Sequence, residues 1–379
     1  MDFQLSDTHR ALYRDILTFC EEELPGSDEG EPFYSRDQWR ACGRAGLLGL
    51  SAPTEFGGGG HGALGAAVAM EAFGRGCSDM GLVFGAAAHL FACVMPIVEF
   101  ASQPVRERVL PKLCSGEWIG ANAITEEQAG SDVTALATRV TATGDDGYAL
   151  SGHKSFVTNG PVADLLVTYA TTNPSFGALG ITGFVVETDR PGVRRSAPFA
   201  KMGLRNCPAG TVEFDECVVP ASHRIGDEGQ GRVVFQRSMG WERACLFGAF
   251  VGLMDRQLDR CIAHAGERRQ FGQRLSSYQA VSHRIANMKL RLEGARLLLY
   301  RACWALDQGE SAELPVALAK LAVSEAAVQS GLDAVQIFGG WGYQEEPGIE
   351  SMLRDAVPTA LFSGTSEMLR EIVAQELSL

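Results

Sequence analysis

The sequence predicts an α+β protein with a helical domain, a β-rich domain and a second helical domain in chain order. Helical spacing of apolar residues runs to about residue 120. A period of two then replaces it up to about residue 229, and long helical segments follow. The chain has 379 residues, which is long enough to bury a core in each region. We therefore expect domains at residues 1–120, 121–229 and 230–379.

The first domain is expected to be helical because its apolar residues recur at three- and four-residue spacing. Ser6 is a suitable N-cap, and Leu12, Ile16 and Phe19 follow it on one helix face. Residues 81–100 approach the length of a membrane span, but this run is rich in Ala and Gly and has no Lys or Arg beside it. We expect a buried helix there.

A run of four glycines at residues 57–60 interrupts the helical pattern of the first domain. Such a run could cradle a phosphate, but no clear strand precedes it and no Lys-Ser/Thr pair follows it. We therefore expect a surface turn.

The second domain is expected to be mostly β, and the third is expected to be built from long helices. Turns rich in Gly, Asp, Asn and Pro separate the β-rich runs, which lie at residues 139–143, 165–171, 183–187 and 210–214. The helical segments of the third domain lie at residues 233–264, 278–306, 316–337 and 366–377.

Composition excludes several classes of function. The formal net charge of -13 disfavours a nucleic-acid partner, because phosphate binding needs clustered Lys and Arg. None of the ten cysteines falls in a Cys-x-x-Cys pair or alternates with His, so we expect reduced thiols and no metal site. The first residues lack the basic and apolar regions of a secretory signal. We expect a cytoplasmic protein with no membrane partner.

Three segments have the composition of cofactor-binding loops. Residues 123–132 read Ala-Ile-Thr-Glu-Glu-Gln-Ala-Gly-Ser-Asp, a short apolar strand followed by small residues that can wrap amides and hydroxyls around an anion. Residues 154–160 read Lys-Ser-Phe-Val-Thr-Asn-Gly, and residues 361–367 read Leu-Phe-Ser-Gly-Thr-Ser-Glu. Taken together, these segments resemble the acyl-CoA dehydrogenase superfamily. The resemblance implies an N-terminal helical domain, a middle β-barrel domain and a C-terminal four-helix bundle.

The resemblance also implies FAD as cofactor. It places Thr125 and Thr158 at the flavin edge, Ser131 at the pyrophosphate and Phe156 against the isoalloxazine. Two further segments, at residues 268–273 and 336–342, reach a neighbouring subunit's FAD in the family, which implies a homo-oligomer, most simply a homotetramer. The FAD-binding residues implied in this way are Thr125, Gly130, Ser131, Phe156, Thr158, Arg268, Phe271, Gln336, Gly339, Gly340, Thr365 and Glu367.

The catalytic base is expected to be Glu242. Most members of the family carry a glutamate at the position of Ser363, and Glu242, within Met-Gly-Trp-Glu-Arg, lies where isovaleryl-type members carry a relocated base. A helical glutamate beside Arg243 could instead be a solvent-facing charge pair. The resemblance further implies that the backbone N–H of Gly364 donates to the thioester carbonyl. Pocket-lining residues would be Trp241, Arg243, Phe362 and Ser363.

The resemblance is closer to the L-prolyl-carrier-protein dehydrogenases of pyrrole-forming antibiotic and pigment pathways. It rests on further segments spread over the chain, at residues 87–94, 205–208, 289–293, 299–304 and 327–334. It implies a substrate in which an L-prolyl group is bound as a phosphopantetheine thioester to a peptidyl carrier protein. A short branched-chain acyl-CoA dehydrogenase of isovaleryl type is the alternative enzyme. A flavin-binding protein without dehydrogenase activity is the alternative from a different class.

Overall fold

Helices form the first part of the chain in the computed structural model, which describes residues 4–24, 33–144, 147–346 and 348–379. Ser6 caps the first helix as predicted, because its hydroxyl accepts a hydrogen bond from the His9 N–H at 3.2 Å. The helices of this part are α1 (Asp7–Glu23), α2 (Arg36–Arg44), α3 (Ala63–Gly76), α4 (Met80–His89), α5 (Met95–Phe100) and α6 (Gln103–Cys114).

The predicted buried helix at residues 81–100 is confirmed. Helices α4 and α5 are joined by a π-helical segment, Leu90–Val94, into one run from Met80 to Phe100. This run is long and apolar enough to span a membrane by length and composition, but 89% of its most apolar window is buried inside the protein. The predicted turn at residues 57–60 follows a short 3₁₀ helix, Thr54–Phe56.

A single eight-stranded sheet forms the middle part of the described chain and packs around its own core. The strand order is β6-β7-β3-β2-β4-β5-β8, and β1 pairs in parallel with β4. The strands are β1 (Gly120–Ala123), β2 (Arg139–Thr143), β3 (Gly147–Thr158), β4 (Leu165–Thr171), β5 (Ile181–Glu187), β6 (Val193–Arg195), β7 (Ala209–Pro220) and β8 (Arg224–Ile225).

Strand β3 was not predicted, although it spans 12 residues and carries part of a predicted cofactor segment. Its pairing with β7 shifts register twice, between Leu150 and Gly152 and again between Lys154 and Val157. Each shift moves the side chains that follow to the opposite face, so the inside–outside alternation that reveals a strand is broken.

Helices return in the last part of the chain, which confirms the predicted fold class. The predicted helix at residues 233–264 is two helices joined by a π-helical segment, Glu242–Leu246. The helices are α7 (Gly231–Trp241), α8 (Gly248–Glu267), α9 (Gln279–Asp307), α10 (Glu313–Phe338), α11 (Ile349–Ala356) and α12 (Ser366–Glu376). Between α8 and α9 lies a two-stranded hairpin, β9 (Arg269–Gln270) and β10 (Gln273–Arg274).

The two helical parts share one core because α3 packs closely against α8. Glycines permit the approach. A Cβ added at Gly74 would lie 1.9 Å from the Ala249 carbonyl oxygen, and one added at Gly252 would lie 2.1 Å from the Glu71 carbonyl oxygen. The contact therefore requires residues without side chains at both positions, and it fixes the first helices against the segment that carries Glu242.

Candidate active site

Glu242 lies at the first position of the π-helical segment that joins α7 to α8. A π-turn adds a residue to the helical turn and changes the direction of nearby side chains, and such turns are frequent at functional sites. Only 8% of Glu242 is exposed, so it is not the solvent-facing residue that the alternative interpretation required. The second π-helical segment, Leu90–Val94, packs against this one. Two irregular helical turns therefore meet where the carboxylate is buried.

The loop before α12 contacts Glu242 directly. The Ser363 hydroxyl donates a hydrogen bond to Oε1 of Glu242. Arg243 Nε donates to the Ser363 carbonyl oxygen at 2.7 Å, and Lys320 Nζ donates to the Gly364 carbonyl oxygen at 2.6 Å. Two cations thus hold two successive carbonyl groups of one loop, beside a buried carboxylate.

The bond from Arg243 also fixes the direction of the Gly364 N–H. The peptide bond between Ser363 and Gly364 is planar and trans, so its carbonyl and its N–H point in opposite directions. Because the carbonyl points at Arg243, the N–H points away from that side chain. The predicted role of this N–H as a donor stays a prediction, but its orientation is set by the fold.

Burial and nearby charges act in opposite directions on the ionisation of Glu242. Burial raises the pKa of its carboxyl group, while the hydrogen bond from Ser363 and the charges of Arg243 and Lys320 lower it, and the net direction is upward. Burial likewise lowers the pKa of Lys320 to about 8, and the charge of Arg243 adds to that effect. A carboxylate with a raised pKa is a stronger proton acceptor than an exposed one.

Aromatic side chains surround the same loop. The Phe362 ring lies 4.6 Å from Phe84, 5.5 Å from Phe247 and 6.0 Å from Phe250, measured between ring centroids. These rings come from α4, from the residue after the π-helical segment, and from α8, so both helical parts build this wall. An apolar wall excludes water and strengthens the electrostatic interactions beside it.

Trp241, the residue before Glu242, is held by a carboxylate on another helix. Its indole N–H donates to Oε1 of Glu99 at 2.7 Å, and Arg237 donates to the other oxygen of Glu99 at 2.9 Å. These bonds tie α7 to α5 just before the π-helical segment begins. The structure therefore groups the predicted pocket residues around one loop and one helical irregularity.

A buried ion pair supports the predicted cofactor loop of the middle sheet. Lys154 is fully buried in β3 and donates to Oε1 of Glu126 at 2.7 Å. Glu126 also accepts from the backbone N–H groups of Ala137 at 2.6 Å and Thr138 at 3.0 Å. Although burial raises the pKa of Glu126, Lys154 and these donors outweigh it, so the pKa of Glu126 is lowered. Burial lowers the pKa of Lys154 to about 8, which still leaves the ammonium mostly charged near neutral pH.

The loop from Thr125 to Ser131 joins β3 through the Thr125 carbonyl oxygen, which accepts from the Ser155 N–H at 2.8 Å. This bond places Thr125 against Ser155, the residue before Phe156. Phe156 is 65% exposed and has a φ of 56°, a left-handed backbone that is uncommon for a residue with a side chain. A Cβ added at Gly130 would meet nothing within 4 Å. The loop thus presents small residues and an uncovered aromatic ring.

The remaining predicted cofactor residues lie at exposed ends of the C-terminal helices. Phe271, in the turn of the β9–β10 hairpin, is 94% exposed with a φ of 48°. The His264 ring, near the end of α8, stacks on Phe338 at 4.1 Å, which brings the two ends together. The residues exposed at these ends include Arg268, Gln336, Gly339 and Gly340.

Thr365 and Glu367 stand at the start of α12, directly after the loop that contacts Glu242. The Thr365 hydroxyl caps the helix by accepting from the Met368 N–H at 3.3 Å. Glu367 is exposed in the first turn, where its own backbone N–H lowers the pKa of its carboxyl group. Both residues are therefore placed beside Ser363 and Gly364 by the helix cap.

Two residues of the site were not predicted from the sequence. Lys320 was missed, although an isolated lysine in the apolar run Val316 to Val323 was a usable signal, since buried lysines have a specific partner. Glu99 lies near the end of the apolar run at residues 81–100, and nothing in its local sequence indicates Trp241 as its partner.

The chain belongs to the acyl-CoA dehydrogenase family. Family models match its N-terminal domain over residues 6–117, its middle domain over residues 121–217 and its C-terminal domain over residues 229–378. It is 58% identical to an L-prolyl-[peptidyl-carrier protein] dehydrogenase of Pseudomonas fluorescens, covering 100% of both chains. It is 42% identical to one of a Serratia species, covering 100% of this chain and 99% of the other.

A solved structure described as PigA with FAD and proline is similar throughout. Its TM-score is 0.95 at 40% sequence identity, and the match covers 100% of both chains. The likeness therefore extends to the arrangement of all three parts of the fold.

Proposed function

We propose that this protein is an FAD-dependent dehydrogenase that oxidises an L-prolyl thioester on a peptidyl carrier protein to the pyrrolyl-2-carboxyl thioester. The observation that carries the proposal is the buried Glu242 carboxylate, bonded to the Ser363 hydroxyl where most of the family have a glutamate. The 58% identity to an L-prolyl-[peptidyl-carrier protein] dehydrogenase over the full chain supports the same substrate.

FAD is the cofactor, and the residues present fit it. Phe156 offers an uncovered aromatic face beside the partly buried hydroxyls of Thr125 and Thr158, which suits the flavin ring and its polar edge. Ser131 and the unobstructed Gly130 would hold the pyrophosphate. Arg268, Phe271, Gln336, Gly339 and Gly340 would hold the FAD of a neighbouring subunit, and Thr365 and Glu367 would contact the cofactor from the start of α12.

Glu242 is the group that takes the proton from the prolyl α-carbon. The thioester carbonyl makes that proton acidic, and the Gly364 N–H donates to the carbonyl oxygen as negative charge develops on it. FAD, when bound, supplies the acceptor for the hydride that leaves the β-carbon. The aromatic wall around Phe362 excludes water while the Glu242 carboxylate accepts the proton.

One such oxidation removes two hydrogens, and conversion of a prolyl to a pyrrolyl group removes four. A second oxidation therefore follows on the same carrier-bound group, after the reduced FAD has passed its two electrons to an external electron acceptor. Aromaticity of the product makes this second step strongly downhill.

The protein acts in the cytoplasm on a peptidyl carrier protein and assembles as a homotetramer in antibiotic or pigment biosynthesis. The exposed Phe271, at the tip of the β9–β10 hairpin, supports the oligomer because a large apolar side chain left uncovered in a left-handed turn is suited to a neighbouring subunit.

Intact mass spectrometry of the carrier protein tests the proposal. The purified holoenzyme is incubated with carrier protein loaded with L-proline, and the acyl group is expected to lose four hydrogens. A carrier loaded with D-proline is the matched control, because its α-proton lies on the other face of the α-carbon. Unchanged L-prolyl carrier together with rapid oxidation of isovaleryl-CoA would instead establish the branched-chain acyl-CoA activity.

A further inference from the structure

Ser363 has a backbone conformation that is unusual for a residue with a side chain. Its φ is 56°, in the left-handed region where glycine is favoured. A non-glycine residue held there is strained, and such residues cluster at functional sites. The backbone would be more stable with glycine at this position, so the contribution of serine here lies in its hydroxyl group and not in its backbone.

Two bonds hold the loop in this conformation. Arg243 and Lys320 donate to the carbonyl oxygens of Ser363 and Gly364 at 2.7 and 2.6 Å. Lys320 is fully buried, and its Nζ lies 5.4 Å from the centre of the Phe247 ring. Turning the Gly364 carbonyl would leave the buried Lys320 without its acceptor, which is costly, and turning the Ser363 carbonyl would break the bond from the partly buried Arg243. Groups outside Ser363 therefore fix its backbone, and with it the direction in which its Cα–Cβ bond points.

We propose that Ser363 is a positioning residue, whose hydroxyl holds Oε1 of Glu242 so that Oε2 is the oxygen that faces the substrate and takes the proton. The inference rests on the proposed function, in which Glu242 is the base. The side chain of a glutamate has three rotatable bonds, and a bond to one carboxylate oxygen removes most of that freedom before the substrate arrives.

The same hydrogen bond acts on ionisation. A hydroxyl that donates to the carboxylate stabilises its charged form, against the burial that disfavours it. Without the hydroxyl the pKa of Glu242 rises further. Since the base must be ionised, kcat/KM increases with pH through this pKa, and the acidic limb of the profile must move to higher pH when the hydroxyl is removed.

The test compares Ser363→Ala and Ser363→Gly with the wild-type holoenzyme, using L-prolyl carrier protein over a range of pH. Both variants lack the hydroxyl, but glycine relieves the left-handed backbone and alanine does not. We expect both to show the shifted limb, with kcat/KM lowered about tenfold or more on the acidic side, as for the loss of a hydrogen bond to a charged group. Ser363→Asn is expected to restore part of the activity, because asparagine tolerates this backbone and carries a donor.

Ser238→Ala is the matched control. Ser238 is buried in α7 and its hydroxyl donates to the Phe91 carbonyl oxygen at 3.3 Å, so this variant loses a buried hydrogen bond that does not involve the Glu242 carboxylate. Its acidic limb is expected to coincide with that of the wild type. A limb that also coincides for Ser363→Gly overturns the inference, and so does a shift in Ser363→Ala alone, which would assign the effect to backbone strain.

Failure of the proposed function gives a different result. If the wild-type holoenzyme leaves the L-prolyl carrier unchanged, the proposed function fails. If Glu242→Gln oxidises the L-prolyl carrier at the wild-type rate, the dehydrogenase activity stands, but Glu242 is not the base and the positioning role of Ser363 fails with it. If Glu242→Gln is inactive while both Ser363 variants keep the wild-type profile, only the positioning role is refuted.

Discussion

A second carboxylate at position 363 would be incompatible with the present position of Glu242. The side chains of Ser363 and Glu242 are in hydrogen-bond contact, and two carboxylates at that separation cannot both ionise without one pKa rising strongly. A hydroxyl at this position is neutral and donates a hydrogen bond to the carboxylate that remains. The absence of one acid and the burial of the other are therefore physically linked.

Replacing the carboxylate of Glu242 by an amide tests its role at the reacting carbon. Gln has nearly the same shape and still accepts the hydrogen bond from Ser363, but it cannot accept a proton. We expect Glu242→Gln to retain bound FAD and to reduce substrate-driven bleaching of the flavin by about 10²- to 10⁴-fold, the usual contribution of a general base. Stopped-flow absorbance with L-prolyl carrier protein measures the rate.

The control for this variant is Glu325→Gln, which makes the same chemical change on the surface. Glu325 is 53% exposed at its side chain and pairs with Arg370. Its flavin should bleach at the wild-type rate. Equal bleaching of Glu242→Gln and Glu325→Gln would remove Glu242 from the mechanism.

The difference in stability between Glu242→Gln and the wild type depends on pH in a defined direction, because only the wild type has a carboxyl group at this position. Because burial raises the pKa of Glu242, its neutral form is favoured in the folded state, and that contribution to stability is full below the unfolded value of about 4.3. It is lost as pH rises through the folded pKa. Glu242→Gln should therefore gain stability relative to the wild type as pH rises through this window, measured by urea unfolding. A difference that shrinks with rising pH would contradict the sign.

The sequence identified several residues of the site, but it did not identify which groups those residues contact. Glu242 and Ser363 could be named because the resemblance aligns them with a relocated base and its vacated position. Lys320 could not be assigned, because its partner is a backbone carbonyl 44 residues away, and a carbonyl leaves no mark in the residue type. Contacts to the backbone are invisible to patterns of side chains.

At the scale of elements, irregularities carry the site. The period of 3.6 predicted one helix over residues 233–264, and the structure has a π-helical segment in the middle of it. A single extra residue in a turn leaves apolar spacing nearly unchanged, so the pattern did not reveal it. Strand β3 was hidden for a related reason, since its two register shifts break the alternation of buried and exposed residues.

The buried ion pair between Lys154 of strand β3 and Glu126 is expected to contribute to stability. Lys154→Met leaves Glu126 as a buried carboxylate without its cation, and we expect the free energy of unfolding to fall by about 3–5 kcal/mol. Occupancy by FAD should fall as well, because Glu126 organises the loop that follows Thr125. Chemical unfolding and the flavin-to-protein absorbance ratio measure the two effects.

Two comparisons separate this effect from the general loss of a lysine. Lys289→Met breaks a surface pair with Glu293, whose side chains are 56% and 41% exposed, and should cost less than about 1 kcal/mol. Adding Glu126→Gln to Lys154→Met removes the stranded charge and should recover much of the loss. A double variant as unstable as Lys154→Met alone would show that packing, and not charge, is what the lysine supplies.

At the scale of the whole molecule, periodicity predicted the order of helices, sheet and helices, and the matched family confirms it. The shared core of the two helical parts could not be predicted in this way. It depends on glycines at Gly74 and Gly252 that face each other's helices, and their separation in sequence carries no periodic signal. Local patterns give the order of helical and β-rich parts, whereas the packing between these parts requires the structure.

Phe271, at the exposed end of the C-terminal helices, is expected to contribute to the assembly of subunits. Phe271 is 94% exposed and so contributes little to the fold of one subunit, but truncation of a central aromatic residue at an interface costs about 2 kcal/mol or more. We expect Phe271→Ala to bind FAD at least about tenfold more weakly, with the unfolding midpoint of the apoprotein unchanged. Light scattering should show the wild-type holoenzyme at four times 40.6 kDa and should show dissociation of the variant on dilution.

Phe176→Ala is the control, because it truncates another exposed phenylalanine, at 62% exposure, in the middle part of the chain. It should leave both FAD binding and mass unchanged. If the two variants behave alike, Phe271 does not reach a neighbouring subunit's cofactor.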